Sequence, residues 1–301
     1  ITWFVLSFLS FIVGSYYIFR IFEKSEGNKS PYSRNWRIWL IYLSFVLIFF
    51  PFRYNLGSGQ VNNFLFLFLV LTFYLLQSKK ELWAAFLFSL AILLKITPIF
   101  LLFTFLIQKK FKIVMWTIIF SLLISFLTFI IFGSKIYVNY LTVSKSFFDF
   151  NIYTYYNQSL TGFLARTFNN SELTKWLLYI STVVLLTVLV FLLKEIKQKN
   201  LESDVIFWNI SVIYMLILSP FAWQYHFVII IFPLMTTAYL GYKLKFSYKF
   251  FLILSISYLL IGWNIKNKEA LGPIILSHVF FGSFILLLIN YYLAKNYLLK
   301  K

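Results

Sequence analysis

The chain reads as an all-α, polytopic integral membrane protein, and three observations lead there. Of its 301 residues, 61% are hydrophobic and only 12% charged, where a soluble domain carries about 45–50% apolar and about 25% charged residues. The apolar residues, among them 39 Phe, 21 Tyr and 9 Trp, are gathered into long runs. The 27 basic residues outnumber 9 acidic ones for a net charge of +18, and they collect between the runs, as cytoplasmic loops do. Together these exclude a water-soluble globule and a disordered tail, and they place the basic excess at a bilayer rather than on nucleic acid. Cysteine is absent, so there is no disulfide framework, thiolate metal site or thiol nucleophile.

A spanning helix takes about 20 residues, which leaves room for roughly eleven crossings. Apolar runs occupy about 1–22, 38–52, 61–77, 81–94, 98–108, 113–132, 176–193, 205–219, 226–241, 250–263 and 273–294. They form one domain over 1–301. The chain opens at Ile1 inside an apolar run with no basic segment before it, so a cleaved signal peptide is not expected and the natural N-terminus is expected further upstream.

The stretch 81–108 poses one choice, a single long helix or two short ones. Pro98 removes a backbone donor and disfavours helix in the residue before it, and Lys95 at membrane depth is costly unless it faces a cavity. Both favour two helices meeting at Lys95-Ile96-Thr97-Pro98. Topology agrees. With the first run crossing from outside to inside and the rest alternating, 19 basic residues fall inside and 8 outside, a strong positive-inside bias. Joining 81–108 would swap every later loop and abolish it. The C-terminus is then cytoplasmic.

Most connections are short. The exception, about 133–175 on the outer side, is rich in aromatics from Tyr137 to Tyr156. It reads either as an interfacial belt or as a lid over a cavity, and the two are compatible.

Four polar patches sit at outer helix ends: Gly57-Ser58-Gly59-Gln60-Val61-Asn62; Lys95-Ile96-Thr97-Pro98; Asn157-Gln158-Ser159-Leu160-Thr161-Gly162 with Arg166; and Ser219-Pro220-Phe221-Ala222-Trp223-Gln224-Tyr225-His226. Polar groups at membrane depth cost several kcal/mol unless they line water or find partners. One shared outer cavity explains all four; interhelical hydrogen bonding is the plainer alternative. Lys95, Arg166 and His226 supply donors suited to phosphate.

In order and spacing these patches resemble glycosyltransferase family 87, the polyprenol-phosphate-mannose-dependent mannosyltransferases of the C-type membrane glycosyltransferase superfamily. The resemblance runs from about Phe22 to Asn290. It implies a C-type fold of about twelve helices, an outer cavity, and transfer with inversion of a hexose such as mannose. The donor would be a polyprenyl-phosphate sugar and the acceptor a hydroxyl on a glycolipid or glycan. It implies location in the cytoplasmic (inner) membrane with the active site facing outside, and no cofactor. The catalytic base it implies is a carboxylate in the outer loop after the family's first helix. The run 1–22 looks like the second, so that loop is expected to lie outside this chain.

Nine carboxylates are present, and the topology leaves Asp149, Glu172 and Glu269 outside. Asp149, in the aromatic stretch, is the candidate base within this chain, with a solvated loop acid as its plainer reading. Charge grows on the leaving phosphate as the glycosidic bond breaks, so fixed cationic donors lower the barrier; Lys95, Arg166 and His226 are assigned that work. Gln60, Asn62, Asn157, Gln158 and Trp223 are expected to bind or stack on sugar and phosphate. His278 matches no motif and is expected to be a satisfied helix histidine. With two distant histidines and few outer acids, no essential metal is expected. A transporter or flippase for lipid-linked saccharides, or a polymerase or ligase acting on them, is the competing reading.

Overall fold

The structure is a computed structural model. It describes residues 1–28, 31–151, 154–196, 200–265 and 271–299, with side chains given outside 144–151 and 298–299. Among these residues the regular elements are helices, and strand pairing is confined to an isolated bridge between Asn157 and Trp223.

The helices follow the apolar runs closely: α1 (Thr2–Ser25), α2 (Trp36–Ile48), α3 (Phe50–Gly57), α4 (Asn62–Gln77), α5 (Glu81–Leu94), α6 (Ile99–Ile107) and α7 (Phe111–Phe132). Then come α8 (Lys135–Asn151), α9 (Leu160–Phe168), α10 (Ser171–Glu195) and α11 (Leu201–Ile217). A 3-10 segment (Gln224–Ile230) runs into α12 (Ile231–Lys243), followed by α13 (Tyr248–Gly262), a short α14 (Pro273–Leu276) and α15 (His278–Leu299).

Every expected run contains a helix, but the count of eleven full crossings is not reached by length. Among the described residues, five helical stretches are long and apolar enough to cross a bilayer, or six if α2 and α3 form one bent span. The others fall short because a helix rises only about 1.5 Å per residue. The nine residues of α6 rise roughly 14 Å, against a hydrocarbon core of about 30 Å. The break between α5 and α6 falls at Lys95–Pro98. The run 38–52 departs from a straight helix. It bends by 71° between α2 and α3, where Pro51 lacks an N–H and crowds the preceding turn and Phe49 turns extended. The stretch 133–175 is largely helical rather than a loop, made of α8, α9 and the start of α10.

Side-chain contacts sort the helix ends into two sets. At one end the Trp3 indole donates to the Gly59 carbonyl (2.8 Å), and Lys95 donates to Asn62 (3.0 Å). At the other, Lys24 donates to the Gln77 carbonyl, Gln77 to Asp204 (2.8 Å), and Lys243 to Ser25 and Glu202 (2.6 and 2.5 Å). At that second end several helices close with the same local device. Lys79, Lys109 and Lys245 adopt left-handed φ of 56–59°, and the following amides bond back to Leu75, Phe105 and Gly241. This caps the last carbonyls and sets a cation on the negative end of the helix dipole. Between the two ends a buried layer of Asn209, Thr236, Thr237 and Asn290 ties α11, α12 and α15 with bonds of 2.8–3.3 Å. Such polar pairs hold helices together where burial of apolar surface cannot discriminate.

Candidate active site

The site is built around Lys95. Its helix stops one residue earlier, and Pro98 prevents the chain from continuing it, so the lysine stands in the turn with an extended backbone. Its Nζ donates to Asn62 Oδ1 at 3.0 Å, and Asn62 Nδ2 donates in turn to Asn55 Oδ1 at 2.8 Å. Both asparagines are fully buried. The ammonium lies 5.6 Å from the centre of the Tyr225 ring, a cation–π distance. It has no ion pair among the described residues. Burial without a counter-charge pushes this amine down to about 7, because desolvation penalises the charged form. A group poised this way gains from an arriving anion.

Lys95 opens onto a cavity of about 540 Å³. Gln60, Thr97, Ser219, Trp223, Tyr225 and His226 line it, and Tyr140 and Val143 of α8 lie along its wall. Three of the four polar patches thus share one hollow. Trp223 stacks on Tyr156 (5.4 Å, 28°), and Tyr225 meets Tyr54 edge-on (5.2 Å, 69°). The His226 ring sits 4.7 Å from that of Tyr225. A wall of aromatic faces beside a cation and the Gln60 amide suits a sugar ring carrying a phosphate.

The remaining patch lies behind the cavity and holds its wall in place. Asn157 is fully buried. Its Nδ2 donates to the Pro220 carbonyl (3.0 Å), and its Oδ1 accepts from Ser159 Oγ (2.8 Å) and from the Ala222 amide (3.3 Å). Gln158 donates to the carbonyls of Tyr155 (2.6 Å) and Leu276 (2.8 Å). Arg166 reaches the Thr154 and Asn157 carbonyls (2.9 and 2.6 Å) and Ser277 Oγ (2.7 Å). Ser159 caps α9 by accepting from Gly162 N (3.3 Å), and a Cβ at Gly162 would lie 2.1 Å from the Asn157 oxygen. The Asn-Gln-Ser and Ser-Pro motifs are therefore one folded unit; most polar groups of Asn157, Gln158 and Arg166 hold it together, and none of the three residues lines the hollow.

His278 is buried, its Nδ1 donating to the Leu260 carbonyl at 2.6 Å while Nε2 accepts from Tyr155 Oη (3.2 Å) and Gln224 (3.4 Å). Asp149 lies near the end of α8, and its side chain falls outside those described; Glu269 falls outside the described residues. Glu172 pairs with Lys175 at 2.8 Å on an exposed turn. Tyr156 comes from the aromatic stretch read as a lid, and it joins Tyr54 and Tyr225 in the aromatic wall. Asn55, which orients Asn62, and Tyr54 and Tyr225 were not assigned a role by the sequence; Tyr225 stands inside the Ser-Pro…His motif, a signal within reach, and the other two carry none.

Glycosyltransferase family 87 is the family whose model matches this chain, over residues 1–220. No curated protein and no solved structure matches it.

Proposed function

Because the chain belongs to glycosyltransferase family 87, a family of membrane glycosyltransferases, we propose that it moves a sugar from a polyprenyl-phosphate donor to an acceptor hydroxyl in the cavity beside Lys95. The observation that carries this reading is a half-buried ammonium, held by Asn62 and with no counter-charge among the described residues, facing an open hollow with an aromatic wall. The sugar lies against Trp223 and Tyr225, and the donor phosphate meets Lys95. The acceptor oxygen attacks the anomeric carbon as the bond from that carbon to the phosphate oxygen breaks. The attacking hydroxyl passes its proton to a general base, the sugar inverts, and polyprenyl phosphate leaves with the negative charge that Lys95 and His226 stabilise.

Asn62 and Asn55 position the ammonium; Gln60 binds sugar or phosphate. Asn157, Gln158 and Arg166 act as positioning residues through the fold of 154–166. No carboxylate lines the cavity among the described residues; the residues that do line it bind substrate and stabilise charge.

We place the protein in the cytoplasmic membrane with about eleven crossings, several of them short, in a C-type arrangement. The cavity faces outward and the lysine-capped helix ends face the cytoplasm, in line with the positive-inside bias. The donor is a hexose such as mannose on polyprenyl phosphate, and the acceptor a glycolipid or glycan. In proteoliposomes, labelled polyprenyl-phosphate hexose should yield a labelled acceptor and free polyprenyl phosphate. Movement of the intact lipid across the bilayer without cleavage would replace this reading with transport.

A further inference from the structure

Two further hollows lie apart from the Lys95 cavity, one of them bordered by Tyr54. The lower one, about 390 Å³, is a groove between α2, α12 and α13, walled by apolar side chains such as Ile41, Phe45, Leu234, Ala238 and Leu254. The upper one, about 600 Å³, is bordered by Arg53, Tyr54, Trp263 and Asn264. Tyr258 lines both, and its hydroxyl donates to the Phe45 carbonyl at 2.6 Å.

The groove follows α2 from Ile38 to Phe49, about 16 Å at 1.5 Å per residue. That is close to one leaflet of a hydrocarbon core about 30 Å thick. At its upper end α3 turns away by 71° and carries Arg53 to the border of the upper hollow. Arg53 is exposed and has no ion pair among the described residues. An apolar slot one leaflet long, with a guanidinium at its end that has no ion pair among the described residues, matches an amphiphile with an anionic head: the chain replaces lipid contacts in the slot and the fork pairs with a phosphate. The Tyr54–Tyr225 pair stands between this upper hollow and Lys95, so the two cations serve different hollows.

We propose that α2, α12, α13 and Arg53 form a binding site for an anionic bilayer phospholipid, separate from the Lys95 cavity. The match of the slot to a single leaflet favours an ordinary acyl chain over a longer polyprenyl chain. The proposal does not depend on sugar transfer.

Native mass spectrometry tests it, using the protein from nanodiscs of equimolar phosphatidylglycerol and phosphatidylcholine. The wild-type chain should retain phosphatidylglycerol preferentially, by about fivefold, the ratio one interfacial cation supplies. Arg53→Gln should abolish the preference while lipid is still retained, and Arg53→Lys should keep part of it. Ala238→Trp, which plugs the slot, should remove retained lipid of both kinds. Lys95→Gln should leave the preference intact. A preference that survives Arg53→Gln, or disappears in Lys95→Gln, overturns the proposal. So does displacement of the retained phosphatidylglycerol by equimolar polyprenyl phosphate, which would make the slot a donor-tail site.

Discussion

Lys95 donates to Asn62 across 3.0 Å from the break between two helices, so a cation and its orienting amide come from segments 33 residues apart in the chain. The amide fixes where the ammonium points without neutralising it. That combination suits a site that must stabilise charge appearing elsewhere. Asn62→Leu should therefore reduce turnover through misplacement of Lys95, by about tenfold, less than loss of the lysine itself, since losing a preorganised donor outright costs about 10²–10³-fold. An Asn62→Leu chain as slow as Lys95→Ala would show that Asn62 contacts substrate directly.

The titration of Lys95 leaves a mark on stability. Folded, this amine sits at about 7; unfolded, it returns to its ordinary 10.5. Between those values the unfolded chain binds a proton that the folded chain has shed, so stability rises with pH across that window and is lowest below about 7. In Lys95→Met the rise of melting temperature over the window should be smaller than in the wild type. Equal slopes would mean that the amine is solvated. Saturation with a phosphate-bearing donor should also flatten the slope, by holding the proton on the bound lysine.

Arg166 and Gly162 should behave oppositely to Lys95. The guanidinium satisfies two backbone carbonyls and Ser277, and hydrogen bonds to charged groups are worth about 1.5–3 kcal/mol each. Arg166→Ala should lower the melting temperature by several degrees, and Arg166→Lys should recover only part of it. Gly162→Ala should also destabilise, because its Cβ would collide with the Asn157 oxygen. Thermal melts in detergent measure this. Arg166→Ala with an unchanged melt and a large loss of turnover would return Arg166 to the phosphate.

The two histidines separate in the same way. His226 lines the cavity, whereas both ring nitrogens of His278 are engaged by Leu260, Tyr155 and Gln224. His226→Ala should lower kcat more than it raises the KM for acceptor, the pattern of an interaction strongest in the transition state. His278→Ala should show mainly in the melt. Equal, mild effects on kcat would remove His226 from the site.

Since the chain has no cysteine, single cysteines report orientation cleanly. Ser58→Cys, at the cavity end, should react in intact cells with a membrane-impermeant thiol reagent; Lys80→Cys, at the lysine-capped end, should react only after lysis. The reverse pattern would turn the protein over in the membrane.

Much of this was legible from residue order because bilayer physics is local. Apolar runs mark helices, Pro98 marks a stop, and lysines mark one set of ends. The bend at Phe49 and the helix over 135–151 were harder: proline and aromatics there fit both a loop and a bent helix, and packing decides. The site was legible as a list of polar residues but not as a division of labour. Asn157, Gln158 and Arg166 are as polar as Gln60 and Lys95, yet their partners are backbone carbonyls of Pro220, Tyr155, Leu276 and Thr154. A carbonyl leaves no signature in sequence. Nor does anything in residue order say that Tyr54, more than 170 positions before Tyr225, closes the same wall.

The most direct test of the central claim is sugar transfer by Lys95 variants in proteoliposomes supplied with labelled polyprenyl-phosphate hexose. Lys95→Ala should lower kcat by about 10²–10³-fold with a melting temperature at pH 6 no lower than that of the wild type, because the penalty of the desolvated charge is removed, and Lys95→Arg should recover only part, because a planar fork does not replace a compact ammonium in a tight turn. Full transfer by Lys95→Ala, with the lysine doing no more than reaching for the interface, would contradict the claim.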